Sequence, residues 1–291
     1  MKETFNIVVL AKQVPDTRNV GKNAMKEDGT VNRAALPAIF NPEDMNALEM
    51  ALKIKDRFPG TKVQLLTMGP SRAADIIREG LFRGADGGIL LTDRKFAGAD
   101  TWATSYALSM ALKKMQPDII IAGRQAIDGD TAQVGPQVAQ QMDLPQVTYA
   151  EEITEIKDSR IVIKRRLERG VEVVSTPFPC VITVNATALE CRPRNAKALL
   201  KYKYARTLTE EQDNEHNSYL PILSLDYLRI NEWGVADVGG VEQNYGLSGS
   251  PTKVKKIENI VFQAKESKRL SASDEEIDSL IKELISSHTI G

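Results

Sequence analysis

Residues 119–136 read IIIAGRQAIDGDTAQVGP. A β-branched apolar run stops at Gly123, passes through a polar loop, and enters a helix expected over 131–141. A strand that feeds a loop and then a helix is the repeating unit of a parallel sheet, where ligands lodge at the carboxyl ends of strands. Gly123 and Gly129 would let backbone N–H groups approach a phosphate, and the Thr131 hydroxyl would add a donor at a helix N-terminus. Arg124 offers a charged fork. Asp128 and Asp130 suit ribose hydroxyls or a helix cap. The same residues also fit an ordinary strand-to-helix turn with Asp130 as its N-cap, so the residue types alone leave both readings open.

Upstream, strands and helices alternate. Strands are expected at 5–10, 62–67, 88–91 and 118–122, and helices at 42–57, 71–82 and 100–115. The 42–57 helix opens on Asn41-Pro42, a cap and first-turn signal, and spaces Met45, Leu48, Ala51 and Ile54 by three residues. This alternation through residue 145 specifies an α/β fold: an open, mostly parallel, Rossmann-like sheet with helices on both faces. Downstream the rhythm changes. Short strands at 151–156, 160–166, 171–175 and 180–184 follow one another as in antiparallel pairing, so 151–184 is expected to be an antiparallel excursion. A short helix is expected at 195–202, a polar loop from 207 to about 217, and a helix or strand at 226–230. Residues 234–250 hold five glycines and little periodicity. The helix at 273–285 carries Ile277, Leu280, Ile281 and Leu284 on one face and Asp274, Glu275 and Glu276 in its first turn. The expected division is an α/β domain over 1–206 and a linker with an extended C-terminal arm over 207–291.

Bulk properties narrow the function classes. The 291 residues carry 42% apolar side chains and a formal net charge of −1, so no overall basic field attracts nucleic acid or an anionic membrane. No apolar run approaches the roughly 18 residues of a membrane span, and the first residues lack the layout of a secretion signal. Two cysteines, Cys180 and Cys191, point to a reducing cytoplasm rather than a disulfide scaffold. Two histidines, His216 and His288, without paired Cys or His spacing argue against zinc. Neither a Walker A loop nor a glycine fingerprint of the G-x-G-x-x-G type follows a strand, and no nucleophile–base constellation is legible.

Five stretches in order resemble the electron transfer flavoprotein beta subunit: VVLAKQVPD at 8–16, FNPEDMNALEMAL at 40–52, LLTMGP at 65–70, GRQAIDGDTAQVGP at 123–136 and IKRRLERGVEVVSTPFPCVITV at 163–184. The resemblance covers about residues 6–204. It implies a site for AMP, or in electron-bifurcating members for FAD that takes a hydride from NADH. By position, the cofactor contacts would be Ala11, Asn41, Asp44, Met68 and the loop Gly123, Arg124, Gln125, Asp128, Gly129, Asp130, Thr131, Ala132, Gln133 and Val134. The Thr131-Ala132-Gln133-Val134-Gly135 run differs from the Cys-Asn-Gln-Thr-Gly run of many AMP-binding members and resembles the bifurcating form, which favours FAD. The implied partners are the larger, FAD-carrying alpha subunit in an obligate heterodimer, an acyl-CoA or other flavin dehydrogenase, and ferredoxin. NATALECRPRNAKA at 185–198 is similar to the loop with which such proteins grip dehydrogenases, with Leu189, Arg192 and Arg194 as the contacts. The family is a carrier first, and an NADH-oxidising enzyme only in its bifurcating form. Outside it, an adenine-nucleotide-binding regulator or an ATP-dependent enzyme of related fold remains. The missing SGG-x-DS pyrophosphatase loop counts against ATP cleavage.

Overall fold

The computed structural model describes residues 4–16, 37–157, 159–213, 225–253, 269–287 and 289–290. His216 and His288 lie outside the described residues. The chain order is β1 (Asn6–Leu10), β2 (Gln13–Pro15), β3 (Ala38–Phe40), α1 (Pro42–Arg57), β4 (Lys62–Met68), α2 (Ala74–Arg83), β5 (Gly87–Leu91), α3 (Thr101–Met115), β6 (Ile119–Gly123) and α4 (Val134–Met142). There follow β7 (Gln146–Lys157), β8 (Arg160–Leu167), β9 (Gly170–Pro177), β10 (Cys180–Val184), α5 (Ala196–Tyr202), α6 (Leu208–Asp213), β11 (Asn231–Trp233), α7 (Val235–Val238) and α8 (Asp274–Ser286). A nine-stranded sheet runs β11-β5-β4-β1-β6-β10-β7-β8-β9, and β2 and β3 form a separate antiparallel pair. From β11 to β7 every neighbouring pair is parallel, and only the β7–β8 and β8–β9 pairs are antiparallel.

The central strands explain the two-faced core. Along β1, Ile7 and Val9 face one cluster with Leu48, Leu52 and Ile77, while Val8 and Leu10 face another with Leu108 and Leu112. Side chains alternate across a strand, so a strand covered on both faces needs an unbroken apolar run. NIVVL and IIIAG supply such runs, and helices cover both faces as expected.

Four local expectations are corrected. β10 is not part of an antiparallel excursion: it lies between β6 and β7, parallel to both, with all five residues buried. CVITV is apolar except for Thr183, itself buried, and has no exposed alternate position, the pattern of a buried parallel strand. α4 starts at Val134 rather than 131, because Asp130 and Ala132 have φ of 48° and 51°, which no helix accepts. Its N-cap is Gln133 rather than Asp130. The 207–217 loop gives way to α6 over its first part. There the Glu210 N–H donates to Thr207 Oγ1 (3.2 Å) while the Thr207 N–H donates to Glu210 Oε2 (2.9 Å), the Thr-x-x-Glu capping box that the sequence carries. Finally, 225–253 returns to this chain's own sheet. β11 extends the β5 edge, and Tyr245, 1% exposed, packs against Phe96 and Tyr106. α8, by contrast, has no buried residue, and Ile277, Ile281 and Ile285 are about half exposed.

Candidate functional site

β1 and β6 are neighbours, but the chain leaves β1 for β4 on one side and reaches β6 only after β5. The strand order therefore reverses between them, which opens a crevice beyond their carboxyl ends. Ala11 and Lys12 follow β1, Gly123 ends β6, and Met68 ends the adjacent β4. The first turn of α1 is packed beneath the crevice.

That turn is a clamp. Asp44, 6% exposed, accepts the Lys12 N–H on Oδ2 (2.8 Å) and the Gly123 N–H on Oδ1 (3.0 Å). It thereby joins the ends of β1 and β6. Burial pushes the Asp44 carboxyl up to about 7, against the pull of these two donors. Asn41, fully buried, donates to the Gln125 carbonyl (2.8 Å) and accepts the Ile127 N–H (3.1 Å). Glu43 accepts the Gln125 N–H (3.0 Å) and the Arg124 guanidinium (3.0 Å). A Cβ on Gly123 would stand 2.5 Å from Asp44 Oδ1 and 2.7 Å from the Glu43 carbonyl carbon. Gly123 is thus required by α1 rather than by a phosphate. Its N–H is committed to Asp44, and the fork of Arg124 to Glu43. Glu43 and Lys12, which pairs with Asp128 at 2.8 Å, are site residues the motif reading missed. Glu43 sits inside the FNPEDMNALEMAL stretch, where two adjacent acids directly after Asn41-Pro42 are the signal in the sequence.

Beyond the clamp the loop is open. Gly129 has nothing within 4 Å of a would-be Cβ, and its N–H and that of Asp130 turn back to the Ala126 carbonyl. Gln125 Nε2 donates to Asp130 Oδ1 (2.8 Å). Among the described residues, the N–H groups of Thr131, Ala132 and Gln133 and the Thr131 hydroxyl meet no acceptor or donor. Left-handed Ala132 followed by right-handed Gln133 makes the concave backbone arrangement known as a nest, directly before the α4 N-terminus. Gln133 Oε1 is steadied by the Thr101 hydroxyl (2.9 Å). Val134 packs against the core, as do Ala11 and Met68.

Of the fourteen expected cofactor residues, Ala11, Met68 and Val134 pack against the core, Asp128 pairs with Lys12, and the other ten fall in two groups at the crevice. Asn41, Asp44, Gly123, Arg124 and Gln125 build the loop, and Gly129 to Gln133 present its open rim. Among the described residues no cluster of three or more His, Cys, Asp or Glu could hold a metal, and no helix is long and apolar enough to cross a membrane. Cys180 is buried and Cys191 partly so, and burial raises their thiols to about 12 and about 11.

The 185–194 loop leaves β10 on the α1/α2 face. Leu189 is 56% exposed. Arg192 is turned inward onto Glu49 and Asp56, and Arg194 pairs with Glu79. Beside Leu189 a cavity of about 180 Å³ is lined by Met50, Ile54, Ile153 and Ile156.

An open parallel sheet with an N–H-lined loop at its switch point places the chain among the α/β proteins whose ligand sites lie at strand ends. The electron transfer flavoprotein domain matches residues 28–204. The chain is 43% identical over 251 residues to the caffeyl-CoA reductase–Etf complex subunit CarD of Acetobacterium woodii, covering 86% of each chain. It is 40% identical to the electron transfer flavoprotein subunit beta of Clostridium acetobutylicum, covering 96% of this chain and 94% of that one. To the acryloyl-CoA reductase electron transfer subunit gamma of Anaerotignum propionicum it is 38% identical, over 98% of this chain and all of the other. The chain belongs to the electron transfer flavoprotein beta-subunit family.

Proposed function

We propose that this chain is the small subunit of an electron-bifurcating heterodimer and that the crevice at β1, β4 and β6 holds FAD. The observation that carries the reading is the run of three N–H groups, with the Thr131 hydroxyl, that meet no partner among the described residues, at a helix N-terminus. A single phosphate needs fewer donors than a pyrophosphate, and this rim offers a row of them. When bound, FAD supplies the chemistry of accepting a hydride from NADH and releasing its electrons singly, one to the larger subunit's FAD and one to ferredoxin.

The protein's own part is position and electrostatics. The Asp44, Glu43 and Asn41 clamp fixes the loop, so its donors are preorganised rather than ordered on binding. Arg124 and Lys12 are both neutralised by carboxylates, so attraction for phosphate rests on backbone dipoles. No side chain need act as acid or base. The Leu189 loop is the surface offered to an acyl-CoA or other flavin dehydrogenase, and the apolar stripe of α8 is the arm offered to the alpha subunit.

Thr131→Glu tests the site. It removes a hydroxyl donor and sets a carboxylate against phosphate, a loss of roughly 1.5–3 kcal/mol or about tenfold to a hundredfold in affinity. The purified heterodimer should lose this flavin and NADH oxidation while the larger subunit keeps its own. Retention of both flavins by the variant would remove the loop from the site.

A further inference from the structure

We infer that Glu49 is a positioning residue that holds the 185–194 loop in its docking shape through Arg192, an inference that rests on the docking role given to Leu189 above. The loop between β10 and α5 has no regular structure, and an untethered segment of this length would lose much conformational freedom on binding a partner. It is tied down on every side. Thr187 donates to Glu151 on β7 (2.6 Å). Asn46 on α1 donates to the carbonyls of Ala188 (3.1 Å) and Leu189 (2.9 Å). Arg83 on α2 donates to the Arg192 carbonyl (2.7 Å), and the Asn195 N–H to the Phe82 carbonyl (2.8 Å).

Glu49 is the hub of this anchoring. It is 6% exposed on a helix whose neighbouring residues Leu48, Met50 and Ala51 are core. A buried carboxylate there is unfavourable unless paired. The bonds it accepts come from the loop, chiefly from Arg192: the Arg192 N–H (3.0 Å) and Nε (2.9 Å) on Oε2, and Nη2 (3.0 Å) on Oε1, with the Cys191 thiol as a further hydrogen-bond partner. Nη2 also reaches Asp56 Oδ2 (2.7 Å). Buried ion pairs add little net stability over an apolar pair but fix geometry, and only the planar guanidinium matches a carboxylate in this bidentate way. The result is a rigid base from which Leu189 alone projects as a large apolar side chain.

The heterodimer is assayed with an acyl-CoA dehydrogenase that accepts its electrons, alongside hydrogen exchange of the loop amides. Glu49→Gln should speed exchange of 187–194 and raise KM for the dehydrogenase about tenfold, with kcat nearly unchanged and flavin content intact. Asn46→Ala, which leaves no buried charge unpaired, should move both in the same direction by less and carries the test if Glu49→Gln folds poorly. Faster loop exchange with unchanged KM in these variants, while Leu189→Ala still raises KM, would overturn the positioning role. An unchanged KM in Leu189→Ala would instead overturn the docking reading beneath it.

Discussion

Replacing Gly123 by Ala puts one methyl group where the clamp has no room. The added carbon would lie 2.5 Å from Asp44 Oδ1, 2.7 Å from the Glu43 carbonyl carbon and 2.8 Å from the Asp44 nitrogen. Two of these are backbone atoms in the first turn of α1 and cannot swing aside. Overpacking of this kind costs about 1–3 kcal/mol. Separating β6 from α1 also loosens the Gly123 N–H bond to the Asp44 carboxylate, a bond to a charged group worth about 1.5–3 kcal/mol. Both losses follow from one displacement and do not add in full, so the expected destabilisation is about 3–4 kcal/mol. Urea unfolding followed by circular dichroism reads the change, with the nucleotide extracted from the folded protein measured beside it. Gly129→Ala, whose methyl would meet nothing within 4 Å, is the control and should shift stability by less than about 0.5 kcal/mol. Equal midpoints for the two variants would refute the assignment of Gly123 to the clamp.

Asp44 gives stability a pH signature. Its folded-state carboxyl, raised to about 7 by burial, lies above the unfolded value of about 3.9. Its contribution is therefore fully present below about pH 4 and lost as pH rises through about 7, by up to roughly 3–4 kcal/mol. Relative to Asp44→Asn, the native chain should lose urea resistance between about pH 4 and pH 7; a constant difference would contradict the burial argument. Removing residues from 265 onward deletes α8 with its half-exposed Ile277, Ile281 and Ile285 and should weaken assembly with the larger subunit. An unchanged elution volume of the complex in gel filtration would show that α8 is dispensable.

Physical pattern explains which parts of this fold were legible. The helix at 42–57 carried an Asn-Pro start signal and apolar spacing, and the structure starts it at Pro42; the helix expected at 100–115 starts at Thr101. For β10, proximity in sequence to β8 and β9 suggests antiparallel pairing, while the CVITV run without an exposed alternate position is the signal that fits its parallel place in the sheet. β11 has three residues on a sheet edge, too few to show a period. At the site, the loop's location followed from strand-then-glycine logic, but the division of labour did not. Gly123 and Arg124 read as phosphate ligands in isolation. Only the packing of Glu43 and Asp44 against them shows that they serve the scaffold, while the open donors come from Thr131 to Gln133.

The most direct test of the account is the content of extracted FAD and AMP per wild-type heterodimer. A nest that binds a pyrophosphate predicts two FAD and no AMP, with one FAD lost selectively in Thr131→Glu. One FAD and one AMP would contradict bifurcation and leave a simple carrier whose crevice holds a single phosphate.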